Sequence, residues 1–187
     1  NIKGIHNWQN IMAASYAAIL MHADVESIKN AITGFTGLEH RLEHVHTINE
    51  VQYYNDSKAT TPEAATAGIK AFDNPTILIA GGYDKQVSLH QFALECVRNT
   101  KCVILIGGTA ETIQKLIQDI KGEKIKPDVY MAASLDESVK KASEVAEPGD
   151  IVLLSPACAS FGMFANYEER GKEFKELVRD IVAAAPC

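Results

Sequence analysis

The stretch Tyr54-Asn55-Asp56-Ser57-Lys58-Ala59-Thr60-Thr61-Pro62-Glu63 concentrates reactive side chains between an apolar alternating run, Val51 to Tyr54, and an Ala-rich run, Ala64 to Phe72. Thr61 followed by Pro62 reads as an N-cap and a first helical residue. The start of that helix offers unpaired backbone N–H groups and a positive dipole end, which suit an anion. Lys58 and the hydroxyls of Ser57, Thr60 and Thr61 are spaced to add to such a site. Asp56 can take the hydroxyls of a ribose or pair with Lys58. Chemistry alone leaves an ordinary capped strand-to-helix turn as the alternative.

Other segments carry weaker signals. Gly81-Gly82-Tyr83-Asp84-Lys85 follows an apolar run and offers Lys85 to an anionic ligand, or simply makes a turn. Neither a GxxxxGK[ST] loop nor a G-x-G-x-x-G fingerprint occurs. Ser155-Pro156-Ala157-Cys158-Ala159-Ser160 offers two hydroxyls and several N–H groups. Cys158 has no identifiable base beside it and reads as packing. His40, His44 and His46 invite a metal reading, but no cysteine or second carboxylate cluster completes a set, so no metal ligand is assigned. Arg41 between them suits a phosphate better. Asn7 and Asn10, three apart at a helix start, divide between capping and a ligand. The charged run from Glu168-Glu169-Arg170 through Lys175-Glu176 reads as a solvated helix face.

These segments need elements to position them. From Gly37 onward Leu42–His46 and Val51–Tyr54 are expected to form a hairpin across Asn49-Glu50. Helix 62–72, strand 76–80, helix 88–99, strand 102–106, helix 109–121, strand 128–132, helix 135–146, strand 150–154 and a long helix at about 164–184 then alternate. Continuous apolar strands between helices predict an α/β, Rossmann-like, mostly parallel sheet covered on both faces. Every strand-to-helix loop then emerges at the carboxyl edge, where such sheets bind ligands. Before Gly37 the chain is expected to be helical. Ile11, Ala14, Ala18 and Met21 predict a buried stripe, and Asp24 caps a second helix over Val25–Thr33.

The 187 residues carry a net charge of −6, which argues against a nucleic-acid partner. No apolar stretch reaches the roughly 18 residues of a membrane span. Four cysteines, Cys96, Cys102, Cys158 and Cys187, lack a C-x-x-C pair and read as free thiols suited to a cytoplasm. Opening on Asn1 within a helical pattern, the chain is expected to be a fragment.

Taken together the motifs resemble the Mur ligases of peptidoglycan synthesis, most closely the D-glutamate-adding branch. The resemblance rests on Gly4-Ile5-His6-Asn7 with Asn10 and Ala13-Ala14, on Phe35-Thr36-Gly37-Leu38-Glu39-His40-Arg41, on Asn55-Asp56-Ser57-Lys58-Ala59-Thr60, on Leu153 through Phe161, and on Asn166-Tyr167-Glu168-Glu169-Arg170-Gly171. It implies the helical end of an ATP-binding central domain at 1–36 and a complete Rossmann-like C-terminal domain at 37–187. It also implies a bacterial cytoplasmic ligase that joins D-glutamate to UDP-N-acetylmuramoyl-L-alanine through an acyl phosphate, using ATP and Mg2+. The alternatives are another Mur ligase or folylpolyglutamate synthetase-like ligase, or a non-catalytic nucleotide-binding domain. The P-loop and magnesium ligands would lie in the remainder of the ligase chain. Carried over motif by motif, Asn7 and Asn10 would help hold the nucleotide. Arg41 would meet the ATP phosphates, Asp56 the ribose, and Lys58 the transferred phosphate. Thr60, Lys85 and Ser160, with the backbone at Tyr167, would hold the two carboxylates of D-glutamate.

Overall fold

Three apolar runs form the centre of a six-stranded sheet whose order is β1-β2-β6-β3-β4-β5. The computed structural model describes residues 4–122 and 127–184. The strands are β1 (Glu43–Ile48), β2 (Val51–Asn55), β3 (Thr76–Gly81), β4 (Cys102–Ile106), β5 (Asp128–Met131) and β6 (Ile151–Leu154). All pairs are parallel except β1 with β2, which form an antiparallel hairpin. Asn49 and Glu50 at its turn have φ of 49° and 65°, as a two-residue primed turn requires. A bulge between His44 and His46 breaks the strict alternation of the strand.

Strand alternation sorts the core into two layers. Leu78, Ala80, Val103, Leu105, Ile151 and Leu153 face α3 (Pro62–Ile69), α4 (His90–Asn99) and α5 (Ala110–Lys121). Ile77, Ile79, Ile104, Ile106, Val152 and Leu154 face α6 (Leu135–Val145) and α7 (Tyr167–Ala184). Each large side chain fully buried this way contributes about 1.5–3 kcal/mol of transfer free energy. The expected architecture is therefore present, with helices on both faces. The final helix starts three residues later than predicted. Asn166 Oδ1 accepts from Glu169 N–H at 2.8 Å and Glu169 Oε2 accepts from Ala165 N–H, a reciprocal cap that sets the boundary.

The N-terminal helices depart from the sequence reading. α1 (Ile5–Leu20) and α2 (Val25–Gly34) pack mainly on each other, and α2 has no buried residue. The stripe expected to be buried is not: Ala14 is exposed, Met21 is 81% exposed, and only Ile11 and Ala18 are half-covered. A stripe of helical period needs a partner surface, and one short helix supplies too little. Among the described residues no helix is long and apolar enough to cross a membrane. Cys96, Cys102 and Cys158 are buried free thiols, and Cys187 lies outside the described residues.

Candidate functional site

The loops that follow β2, β3, β4 and β6 meet at the carboxyl edge of the sheet, and main-chain bonds lace three of them together. Tyr83 N–H donates to Ala159 O (2.9 Å), Gly81 N–H to Pro156 O (2.8 Å) and Thr109 N–H to Gly82 O (3.0 Å). Gly82 has φ 149°, and a Cβ there would overlap the Ala159 carbonyl oxygen, so only glycine permits the approach. The Gly81-Gly82 pair is thus more than a turn; it lets two loops touch. Cys158 sits beneath, its sulfur 3.3 Å from Thr109 Oγ1. Burial pushes that thiol up, against the Thr109 bond and Arg170, which fits packing and not nucleophilic attack.

The loop after β2 is held differently. Thr61 caps α3 as predicted, accepting from Ala64 N–H at 3.3 Å, with Pro62 behind it. Asp56 does not pair with Lys58. Its carboxylate is 5% exposed, accepts from Ser155 Oγ at 2.8 Å and Leu42 N–H at 3.2 Å, and thereby ties the first loop to the last. Burial raises its pKa to about 6, against the pull of those two donors and of Arg41. Sequence reasoning offers the Ser155 hydroxyl but misses its pairing with Asp56.

Arg170 is the larger omission. It is 1% exposed, so the solvated face expected across Glu168–Glu176 is wrong at its first turn. The guanidinium donates to Ser57 Oγ (3.0 Å), Ser57 O (2.8 Å) and Cys158 O (3.3 Å), and Ser57 Oγ donates to Tyr167 O at 2.8 Å. Burial lowers its pKa to about 10. A signal does exist: Arg170 stands four and eight residues before Phe174 and Val178, both fully buried, so it continues their stripe. Lys175 also leaves the solvated face and binds Glu39 Oε1 (2.5 Å) and Glu43 Oε1 (3.0 Å).

Around this frame the candidate residues fall into three adjoining spaces. Arg41, Asp56 and Lys58 line a hollow of about 160 Å³ with Leu42, Ala59 and Gly68. Thr60 and Lys85 line a narrow cleft of about 10 Å³ with Tyr83, Thr109 and Cys158. Ala59 lines the first and Thr60, the next residue in sequence, lines the second. Asn7, Asn10 and Arg41 border an apolar groove of about 580 Å³ between α1, α2 and Leu38. Arg41, exposed, is common to groove and hollow. Ser160, buried at 4%, and Tyr167 line none of the three, although the Tyr167 ring lies 5.7 Å from Lys58 Nζ. Neither asparagine caps its helix: Gly4 holds the N-cap, Asn7 N–H bonds Gly4 O at 3.1 Å, and Asn10 lies a turn further in.

A cation site is the remaining chemical option. Among the described residues, Glu39, His40 and Glu43 bring possible ligand atoms within 4.8 Å of one another. Lys175 already bonds both carboxylates, so an ammonium takes the place a metal would need. With that ammonium bonded to both carboxylates, the set does not fit Mg2+. The hollow, with two cationic side chains and a carboxylate around it, fits a phosphorylated ligand bearing hydroxyls.

Comparison with known proteins gives this geometry a context. A family model, "Mur ligase, glutamate ligase domain", matches residues 40–158. UDP-N-acetylmuramoylalanine--D-glutamate ligase of Caldanaerobacter subterraneus subsp. tengcongensis is 46% identical over 180 residues, covering 96% of this chain and 40% of that protein. The enzyme of the same description from Clostridium perfringens is 46% identical over 181 residues, covering 96% and 39%. The chain thus spans about two fifths of the length of these relatives. Among solved structures, Mycobacterium tuberculosis folylpolyglutamate synthase complexed with ADP superposes with a TM-score of 0.66 at 14% identity, over 100% of this chain and 42% of that one. That likeness speaks for the fold. The matched model spans well over half of the chain, from His40 to Cys158, and takes in Arg41, Asp56, Lys58, Thr60 and Lys85: the chain belongs to the Mur ligase family.

Proposed function

We propose that this chain is the C-terminal part of an ATP-dependent ligase that adds D-glutamate to UDP-N-acetylmuramoyl-L-alanine through an acyl phosphate. The observation that carries the reading is the adjacency of the two polar spaces. Consecutive residues, Ala59 and Thr60, line the hollow of Arg41, Asp56 and Lys58 and the cleft of Thr60 and Lys85. A nucleotide in the first would stand beside an amino acid at the second, which is the arrangement amide ligation requires. The names of the 46%-identical relatives favour D-glutamate as that amino acid.

Within this reading Arg41 offers a fork of donors to the ATP phosphates, and Asp56 accepts from the ribose hydroxyls at the floor of the hollow. Lys58 meets the negative charge that develops on the transferred phosphoryl group and on the tetrahedral intermediate. A dicarboxylate needs two separate donor sets. Lys85 and Thr60 supply one, while Ser160 and the main chain near Tyr167 supply the other. Lys85 and Tyr83, both exposed, line the narrow cleft, and their turning aside would admit the amino acid.

Residues 1–36 are assigned to the end of a central ATP-binding domain and 37–187 to the C-terminal domain. The apolar face of α1, with Trp8, Met12 and Tyr16 more than 60% exposed, is then the surface on which the rest of the central domain packs. Asn7 and Asn10 hold the nucleotide from that side. Mg2+ and the P-loop belong to the part of the relatives' length that this chain does not span, and the complete ligase works in the bacterial cytoplasm. When bound, the metal neutralises phosphate charge.

The test is ADP release coupled to D-glutamate. A whole ligase carrying these 187 residues should release ADP only with ATP, UDP-N-acetylmuramoyl-L-alanine and D-glutamate together, and the chain alone should not turn over. Turnover by the chain alone, or a whole ligase that ignores D-glutamate and accepts another amino acid, overturns the reading.

A further inference from the structure

Between Glu39 and Arg41 lies a histidine that no part of the proposed chemistry uses. His40 is 3% exposed and held at φ 63°. Its carbonyl oxygen accepts from Lys58 N–H at 3.1 Å, and its own N–H donates to Glu43 Oε2 at 2.9 Å. The ring touches α7: Tyr167 packs edge-on at 5.9 Å, and a Cβ on Gly171 would overlap His40 Nδ1. The charged groups facing it are Glu39 and Glu43, Lys175, which binds both, and Glu168 on α7.

The protonation state of this ring is fixed by a neighbour. Asn55 Nδ2 lies 2.9 Å from His40 Nδ1, 3.0 Å from Glu43 Oε2 and 3.3 Å from Gly171 O. Asn55 Oδ1 accepts from Ser57 N–H at 3.1 Å. A carboxylate and a carbonyl can only accept, and an amide N–H can only donate, so the Asn55 amide has one orientation. Its NH2 therefore faces His40 Nδ1, which must be the bare nitrogen of the ring. The proton sits on Nε2, and a second proton on Nδ1 would confront an NH2 donor.

We propose that His40, in its neutral Nε2–H form, is a positioning residue that sets the Lys58 loop and the adjacent Arg41, and that proton uptake at Nδ1 releases both. Protonation breaks the hydrogen bond between His40 and Asn55, and the other end of Asn55 orders Ser57, the residue before Lys58. The carbonyl of His40, which holds Lys58 N–H, moves with the same residue. Burial lowers the pKa of His40 below the usual 6.5, with Lys175 acting in the same sense and Glu39 and Glu43 opposing. The neutral form therefore prevails at neutral pH. The proposal rests on the reading of Lys58 and Arg41 as phosphate-facing groups, and part of its test does not.

On the 187-residue chain, long-range proton–nitrogen spectra read the ring tautomer, and backbone spectra follow the Lys58 amide from pH 8 to pH 5. The expected result is an Nε2–H ring at pH 8 and a Lys58 amide that titrates together with His40. His40→Asn keeps an acceptor where Nδ1 stood and tolerates the left-handed backbone, so it should remove the part of the Lys58 shift that follows His40 and leave only what Asp56 imposes near pH 6. In a whole ligase, kcat should fall about tenfold per pH unit below the His40 titration. His40→Asn should remove that step while keeping the one that Asp56 supplies near pH 6 in both proteins. His40→Ala should lower kcat by roughly 10- to 100-fold, with a smaller change in KM for ATP. A ring protonated on Nδ1 at pH 8, or a Lys58 amide that titrates alike in the wild type and His40→Asn, overturns the proposal. Expected spectra alongside a wild-type ligase that never uses D-glutamate would sink the functional reading and leave the His40 linkage standing.

Discussion

Arg170 grips both oxygens of Ser57, 113 positions earlier in the chain, with its Nε 3.0 Å from the hydroxyl and Nη2 2.8 Å from the carbonyl. Its third donor reaches Cys158 O at 3.3 Å, so one buried guanidinium ties α7 to the first and last loops of the carboxyl edge.

Removing that guanidinium leaves two buried carbonyls without their donor. Arg170→Met should cost about 3 kcal/mol or more, since bonds to a charged donor are worth roughly 1.5–3 kcal/mol each and orphaned acceptors add a penalty. Urea unfolding of the chain checks it. An unchanged midpoint would mean that Ser57 and Cys158 find other partners.

Asp56 makes stability depend on pH with an unusual sign. Its folded pKa of about 6 lies above the unfolded value of 3.8, so the folded state binds the extra proton between these values. Its contribution to stability is full below about pH 4 and is lost as pH rises through 6, by about 3 kcal/mol. Asp56→Asn should flatten this step and stabilise the chain at pH 8, while weakening ATP use by the whole ligase. Thermal melts from pH 4 to pH 8 decide the first part.

Lys85 and Arg41 should separate kinetically. In a whole ligase Lys85→Ala should chiefly raise KM for D-glutamate, while Arg41→Ala should slow formation of the acyl phosphate, each by about tenfold or more. The two residues line different spaces, one beside Thr60 and the other beside Asp56. Parallel changes in both parameters for both variants would dissolve the distinction.

The cap of α3 is a simpler case. Thr61 Oγ1 accepts from Ala64 N–H at 3.3 Å at an exposed position, so Thr61→Ala should lose about 1 kcal/mol by urea unfolding, and Thr61→Ser only a small part of that.

Much of this architecture is legible in the sequence because it follows from periodicity. Runs such as Thr76–Ala80 and Cys102–Ile106 are apolar at nearly every position, which only a sheet covered on both faces explains. The Asn49-Glu50 turn and the Thr61-Pro62 helix start carry local chemistry that fixes them. Pairings between distant residues leave weaker traces. Nothing in the sequence ties Asp56 to Ser155 or Asn55 to His40, because such partners are chosen by the crossing of strands and not by spacing. Arg170 misleads because its charge outweighs its place four residues before Phe174. The stripe on α1 misleads for the opposite reason: its period is clear, but period reports a face and not what covers it.

Main-chain atoms alone make the stitches between Tyr83 and Ala159 and between Gly81 and Pro156, whereas the Thr109 hydroxyl adds its own bond from Gly82 N–H at 3.1 Å. The main-chain stitches are indifferent to which residue occupies a position, apart from the glycines. The lining at Thr60, Tyr83, Lys85 and Val87 can therefore diverge while the scaffold under it keeps its shape. On the proposed function, a library of substitutions at these four places should yield ligases with altered amino-acid preference, and Gly82 and Thr109 are the positions to leave alone.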